Sequence, residues 1–226
     1  MVFAFLPVVA VSSTRAKSQQ SYLRARAGMT EAKQTANPIR LLILGVQIKS
    51  DLDQALQLDP ENLEIRLDLV RFYTVAPRVF GGIGEARAQA AEIAKRDAPL
   101  GCFARGYIAY REKEYGAARL ELREAVRTAR SASTKALALK WLGWLSQETQ
   151  QYGEAFAVFQ ELRATDASAL YEIGRTSVFC SCETERGRDA LNAYLAAKRT
   201  AEMPPAEEAR KLLGQLTPSA DRRPAP

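Results

Sequence analysis

Residues 141–167 read WLGWLSQETQQYGEAFAVFQELRATDA. Ala155, Phe159 and Leu162 stand there at offsets 0, +4 and +7, which puts them on one face of a helix. Leu142 and Gly143 lie in another apolar segment, 12 residues separating Gly143 from Ala155. Two helices joined over that distance form an antiparallel pair, and small residues where they meet let the backbones approach closely. Phe159 and Leu142 are then expected to fill the space between neighbouring pairs.

The same pattern recurs along the chain. Ile48/Leu52/Ala55, Ala86/Ala90/Ile93, Ala118/Leu122/Ala125 and Ala190/Tyr194/Ala197 repeat the three positions, and successive first positions are 38, 32, 37 and 35 residues apart. Gly106 to Ala118 repeats the 12-residue join, and Tyr115 and Tyr152 each stand three residues before the alanine. After the second helices come LDPEN (58–62), RDAPL (96–100) and ATDAS (164–168), where Pro or Asp stops one pair and starts the next. A helical bundle need not share join lengths and residue identities in this way.

Leu-Gly, Tyr-x-x-Ala-x-x-x-Phe and Asp-Pro at these places resemble the tetratricopeptide repeat (TPR) family, best over 141–167 and more loosely over residues 20–215. Residues 58–101 are similar to a bacterial subgroup with a Pro/Gly-Gly insertion inside one hairpin. The resemblance implies an all-α, right-handed solenoid of stacked antiparallel helix pairs. Four hairpins are expected, at about 39–58 with an upstream helix, 63–97, 99–130 and 136–165, with a fifth at 168–200. A helix at 205–216 would cap the stack through Leu212, Leu213 and Leu216. Residues 1–20 are read as a disordered leader or degenerate export signal, and the proline-rich 217–226 as a disordered tail. The two ends of the stack are expected to expose apolar surface.

Composition narrows the function. The chain has 32 basic and 26 acidic residues; seven and one of them lie in residues 1–50, which leaves 25 of each in the rest. A neutral helical body has no general attraction to phosphate backbones, so no nucleic-acid partner is expected. There is no histidine, which removes the usual proton shuttle and commonest metal ligand. No enzymatic activity, metal or cofactor is expected, and Glu112/Glu114 and Glu121/Glu124 read as solvated helix-face partners of nearby arginines. Cys180-Ser-Cys182 leaves a soft-metal pair, a strained disulfide or an incidental pair open, the last favoured. GGIGEAR (81–87) lacks the Gly-Lys-Ser/Thr of a phosphate loop and any preceding strand, so it reads as an extended turn. Val70 to Ala86 and Gly174 to Ala190 both span 16 residues, which predicts a four-residue lengthening of two turns. No run reaches the 18 or so apolar residues of a membrane span, so stable insertion is not expected. The cytoplasm is favoured, or the periplasm if residues 1–13 act as an export signal.

In the TPR family the first helix of each hairpin lines a concave groove. Carried onto this chain, that implies Leu67, Arg71 and Thr74; Phe103, Tyr107, Tyr110 and Arg111; Lys140, Trp144 and Gln147; and Tyr171, Arg175 and Val178. The strip is aromatic and basic with no acidic residue among those positions, which suits an acidic or C-terminal segment of a protein partner. The alternative is a structural subunit that self-associates through open ends into a homo-oligomer.

Overall fold

The computed structural model describes residues 8–198, 200 and 203–216, with side chains from Thr14 onward. Those residues form eleven α-helices and no strand. They are α1 (Val8–Gln34), α2 (Pro38–Leu58), α3 (Leu63–Val75), α4 (Ile83–Arg96), α5 (Ala98–Arg111), α6 (Tyr115–Thr128), α7 (Ala132–Glu148), α8 (Tyr152–Leu162), α9 (Ser168–Cys180), α10 (Thr184–Ala196) and α11 (Ala206–Leu216). The chain divides into two compact units, Met1–Arg111 and Glu112–Pro226. The tail at 217–226 lies outside the described residues.

In the first unit, polar side chains start the helices by satisfying free backbone N–H groups. Asn37 accepts from the amides of Ile39 and Arg40 at the start of α2, with Pro38 at the first turn, and Asn62 does the same for Glu64 and Ile65. Asp97 separates α4 from α5 by one residue and accepts from the Leu100 amide at 2.9 Å. From Val8 onward the helix α1 stands where residues 1–20 were expected to be disordered, and Ser18, Ser21 and Tyr22 are buried. Ser18 donates to the Ala55 carbonyl at 2.8 Å and the Tyr22 hydroxyl to Asp68 at 2.9 Å, so small and polar residues with no apolar periodicity are held by α2 and α3. Residues 1–7 lie outside the described structure.

The repeated faces form the core. Every member of the five 0, +4, +7 sets is buried except Ala197, which follows the last residue of α10. In the second unit Phe159 is fully buried, and a Cβ on Gly143 would lie within 2.5 Å of two of its ring atoms. Phe159 therefore packs on the partner helix of its own hairpin, where Gly143 leaves room for the ring. Arg119 and Arg123 reach from α6 to Glu154 on α8, at 3.3 and 2.5 Å, while Glu124 pairs with Arg127. At the end, Leu216 and Ala209 of α11 are buried with Tyr171, Leu191 and Tyr194, with Leu212 and Leu213 packed against them.

The turns divide into two kinds. The connections 112–114, 149–151 and 181–183 each have three residues, whereas 76–82 has seven. The long one holds a single 3-10 turn, Arg78–Phe80, after Pro77 ends the preceding segment. Gly81 has φ +132°, and a Cβ there would strike the Tyr73 ring at 2.6 Å, so only glycine fits. Gly82 is extended and Gly84 is helical, so one glycine of the three takes the left-handed side. The second expected long turn is absent. The four extra residues between Gly174 and Ala190 continue α9 and begin α10 early, leaving a three-residue turn closed by a Cys180–Cys182 disulfide. The favoured reading of that pair as incidental is thus corrected.

Short turns demand left-handed backbone from residues with side chains. Lys113 and Gln150 have φ +63° and +58°, in the middle of two of the turns. Left-handed conformation costs an L-residue roughly 1–2 kcal/mol, part of which glycine returns as backbone entropy. Gln150→Gly and Lys113→Gly are each expected to gain about 0.5–1 kcal/mol, seen as a higher urea midpoint at unchanged slope.

Candidate partner-binding faces

In the first unit, α3 and α5 carry seven of the expected groove positions. Leu67, Phe103 and Tyr107 are buried, and the Phe103 and Tyr107 rings stack at 6.4 Å between centroids. These three hold α3 and α5 together and offer no open surface. The Tyr107 hydroxyl lies 3.5 Å from that of Thr74 across the two helices. Arg71 and Tyr110 are half-buried, and Arg111 is exposed. Arg71 lies 2.8 Å from the buried carboxylate of Asp68, which also accepts from Tyr22. Burial, then the Asp68 charge, pushes the Tyr22 phenol well above its ordinary range. The expected basic strip is corrected here: the Arg71 charge is balanced from beneath.

The second unit repeats the arrangement on α7 and α9. Tyr171 is buried, its ring 5.6 Å from that of Tyr194, and donates to Glu208 at 3.3 Å. Gln147 is buried and donates to Thr176 at 2.8 Å. Arg175 donates to the Gln147 carbonyl oxygen at 2.6 Å, lies 2.9 Å from the Glu172 carboxylate, and stands 5.5 Å over the Phe179 ring. Lys140 lies 3.0 Å from Asp166 and 5.7 Å over the ring of Trp144. Trp144 is half-buried, in edge contact with Trp141 at 5.0 Å. Val178 is half-buried and Phe179 is 52% exposed.

Two carboxylates set the electrostatics of this face. Burial pushes Glu172 above the usual carboxylate range, partly offset by Arg175. Burial acts in the same sense on Asp166, but the hydrogen bonds from Ser168 and Lys140 outweigh it and hold that group low. The Nε atoms of Trp144 and Arg175 are buried and complete no hydrogen bond of normal geometry. Trp144 nonetheless lies close enough to Glu172 to favour its charged form.

Sequence reasoning missed Asp68, Glu172 and Asp166, which lie beneath or beside the expected cations. A signal existed for two of them. Asp68 and Glu172 each stand three residues before their arginine, a spacing that brings side chains together on a helix. Their burial has no such signal, because it depends on which side of the helix the next hairpin covers.

Comparison with known proteins adds the fold. No family model and no curated protein matches the chain. Among solved structures it is similar to Pseudomonas aeruginosa pilF, at 16% identity and a TM-score of 0.54 over 89% of this chain and 90% of that one. It is also similar to the MamA protein (16% identity, TM-score 0.46, 83% and 98% of the two chains) and to a tetratricopeptide repeat protein from Parabacteroides merdae (13%, 0.41, 91% and 99%). The pilF structure carries the comparison. Taken with the recurring buried faces and the antiparallel pairs, it establishes that this chain has the tetratricopeptide-repeat fold.

Proposed function

We propose that the chain is a non-catalytic scaffold that holds a peptide segment of a protein partner on the face formed by α7 and α9. One observation carries this reading: Lys140 stands over the half-buried Trp144 and Arg175 over the exposed Phe179 on the same face. Tryptophan and arginine dominate binding energy where water is excluded. The paired state of Arg175 and Lys140 favours a segment that shares these cations with Glu172 and Asp166 over a simple acidic tail. In the first unit, Arg111 is the exposed groove position, and Arg71, Thr74 and Tyr110 are half-buried.

Affinity capture on the full chain followed by mass spectrometry tests the proposal. Trp144→Ser is expected to reduce the recovery of specific partners at least tenfold, with Arg111→Glu reducing it less, and with melting temperatures that leave both variants folded at the capture temperature. Undiminished recovery with Trp144→Ser would place the partner elsewhere.

A further inference from the structure

The first unit carries a surface that neither its core nor the proposed groove uses. Residues 38–48 at the start of α2 read PIRLLILGVQI, and Ile39, Leu42, Ile43 and Val46 are between 43% and 71% exposed. Ile39, Leu42, Ile43 and Val46 stand at offsets 0, +3, +4 and +7 and form one exposed apolar stripe, with Leu41, 38% exposed, on another side of the helix. Only Leu44, Gly45 and Ile48 of this segment are buried. Phe80 packs on Gly45, and its neighbour Val79 is 77% exposed. Such a stripe can be covered by the ridge of a protein partner or by the apolar boundary of a lipid medium.

The charge around it selects between the two. The +6 of the whole chain is the charge of residues 1–50, the segment that contains this helix end. Where its antiparallel neighbour α1 lies beside this helix end it exposes Arg26 and Lys33, against the single acid Glu31, which pairs with Arg40 at 2.6 Å; Arg15 and Lys17 lie towards the other end of the hairpin, where Ser18 meets Ala55. Arg24 is shared with Asp51 and Lys49 with Asp53, and Arg78 is exposed on the turn beside Val79. No helix among the described residues is long and apolar enough to cross a membrane. A short apolar end beside a basic, polar helix is the composition of an interfacial contact, in which apolar groups enter the headgroup boundary and lysine and arginine meet lipid phosphates.

We infer that the α1–α2 hairpin is a peripheral docking surface for an anionic phospholipid bilayer, with Ile39, Leu42, Ile43 and Val46 entering the interface. The proposal stands apart from the peptide-binding face, which lies in the other unit. Co-sedimentation of the full chain with vesicles of phosphatidylcholine alone, or with 30% phosphatidylglycerol, tests it. Binding is expected at least ten times stronger to the anionic vesicles and should weaken as salt is raised. The double variant Leu42→Asp/Val46→Asp, whose side chains are already exposed, should keep its helical circular dichroism and lose at least ten-fold in vesicle affinity. An Ile43→Trp reporter should be quenched by brominated lipid, while Trp141 and Trp144 in the other unit should not. No binding to anionic vesicles at low salt overturns the proposal, as does equal binding by the double variant, which would mean adsorption by charge alone. Concentration-dependent dimerisation that the double variant abolishes, without vesicle binding, would assign the surface to a second copy instead.

Discussion

Phe159→Ala is expected to cost the second unit about 3–5 kcal/mol, the range for emptying a fully buried aromatic site. Phe159 is 0% exposed and fills the space above Gly143. A loss of that size is a large share of the 5–15 kcal/mol that holds an ordinary domain together. The urea transition of the full chain should therefore begin at markedly lower denaturant. The reciprocal change probes the same contact from the other side. A Cβ at residue 143 would come 2.4 Å from the ring, so Gly143→Ala should cost about 1–3 kcal/mol through overpacking. Combining Gly143→Ala with Phe159→Leu should cost less than the two separate losses added, because the smaller side chain makes room for the methyl group. Strict additivity would show that the ring does not rest on Gly143.

Arg175→Ala should cost about 3–5 kcal/mol at neutral pH, since it leaves Glu172 charged and buried without its cation. The sign of the pH response follows from the direction of the Glu172 shift. Its folded-state pKa is raised by burial, so its stabilising contribution is fully present below the ordinary glutamate pKa and is lost as pH rises through the folded value. Acidification from pH 7 towards about 4.3 should therefore narrow the gap between Arg175→Ala and the parent protein. Glu172→Gln should flatten that dependence and restore most of the stability of Arg175→Ala when the two are combined. Melting temperatures across this window decide the matter. An Arg175→Ala protein as stable as the parent, but unable to hold its partner, would make Arg175 a ligand-binding group and not a counter-ion.

These expectations bear on how a groove is inferred. Reversing Arg71, Arg111 and Arg175 together looks from sequence like a clean test of an acidic partner. The structure shows that two of the three neutralise buried acids, so that experiment would unfold the protein before it measured binding. Trp144 and Arg111 are the better choices because neither is the counter-ion of a buried carboxylate.

The helical fold was legible in residues 38–216. Small and apolar residues at 0, +4 and +7 can be satisfied only by a helix with one buried face, and the observed helices bury those faces. Asn37, Asn62 and Asp97 announce the helix starts because capping is local chemistry between a side chain and the next few amides. The helix α1 was not legible, since Ser18, Ser21 and Tyr22 make no apolar pattern and are buried only by what α2 and α3 place over them.

The same division separates the site from the scaffold. Spacing alone determined which residues share a helix face, because helical geometry needs no partner to define it. Whether Phe103, Tyr107 and Tyr171 on that face are open or covered, and whether the Asp68 and Glu172 that pair with Arg71 and Arg175 are buried, was decided by tertiary packing. The i, i+3 spacing gives the pairing, but burial depends on atoms brought from distant parts of the chain, and no local pattern carries that information.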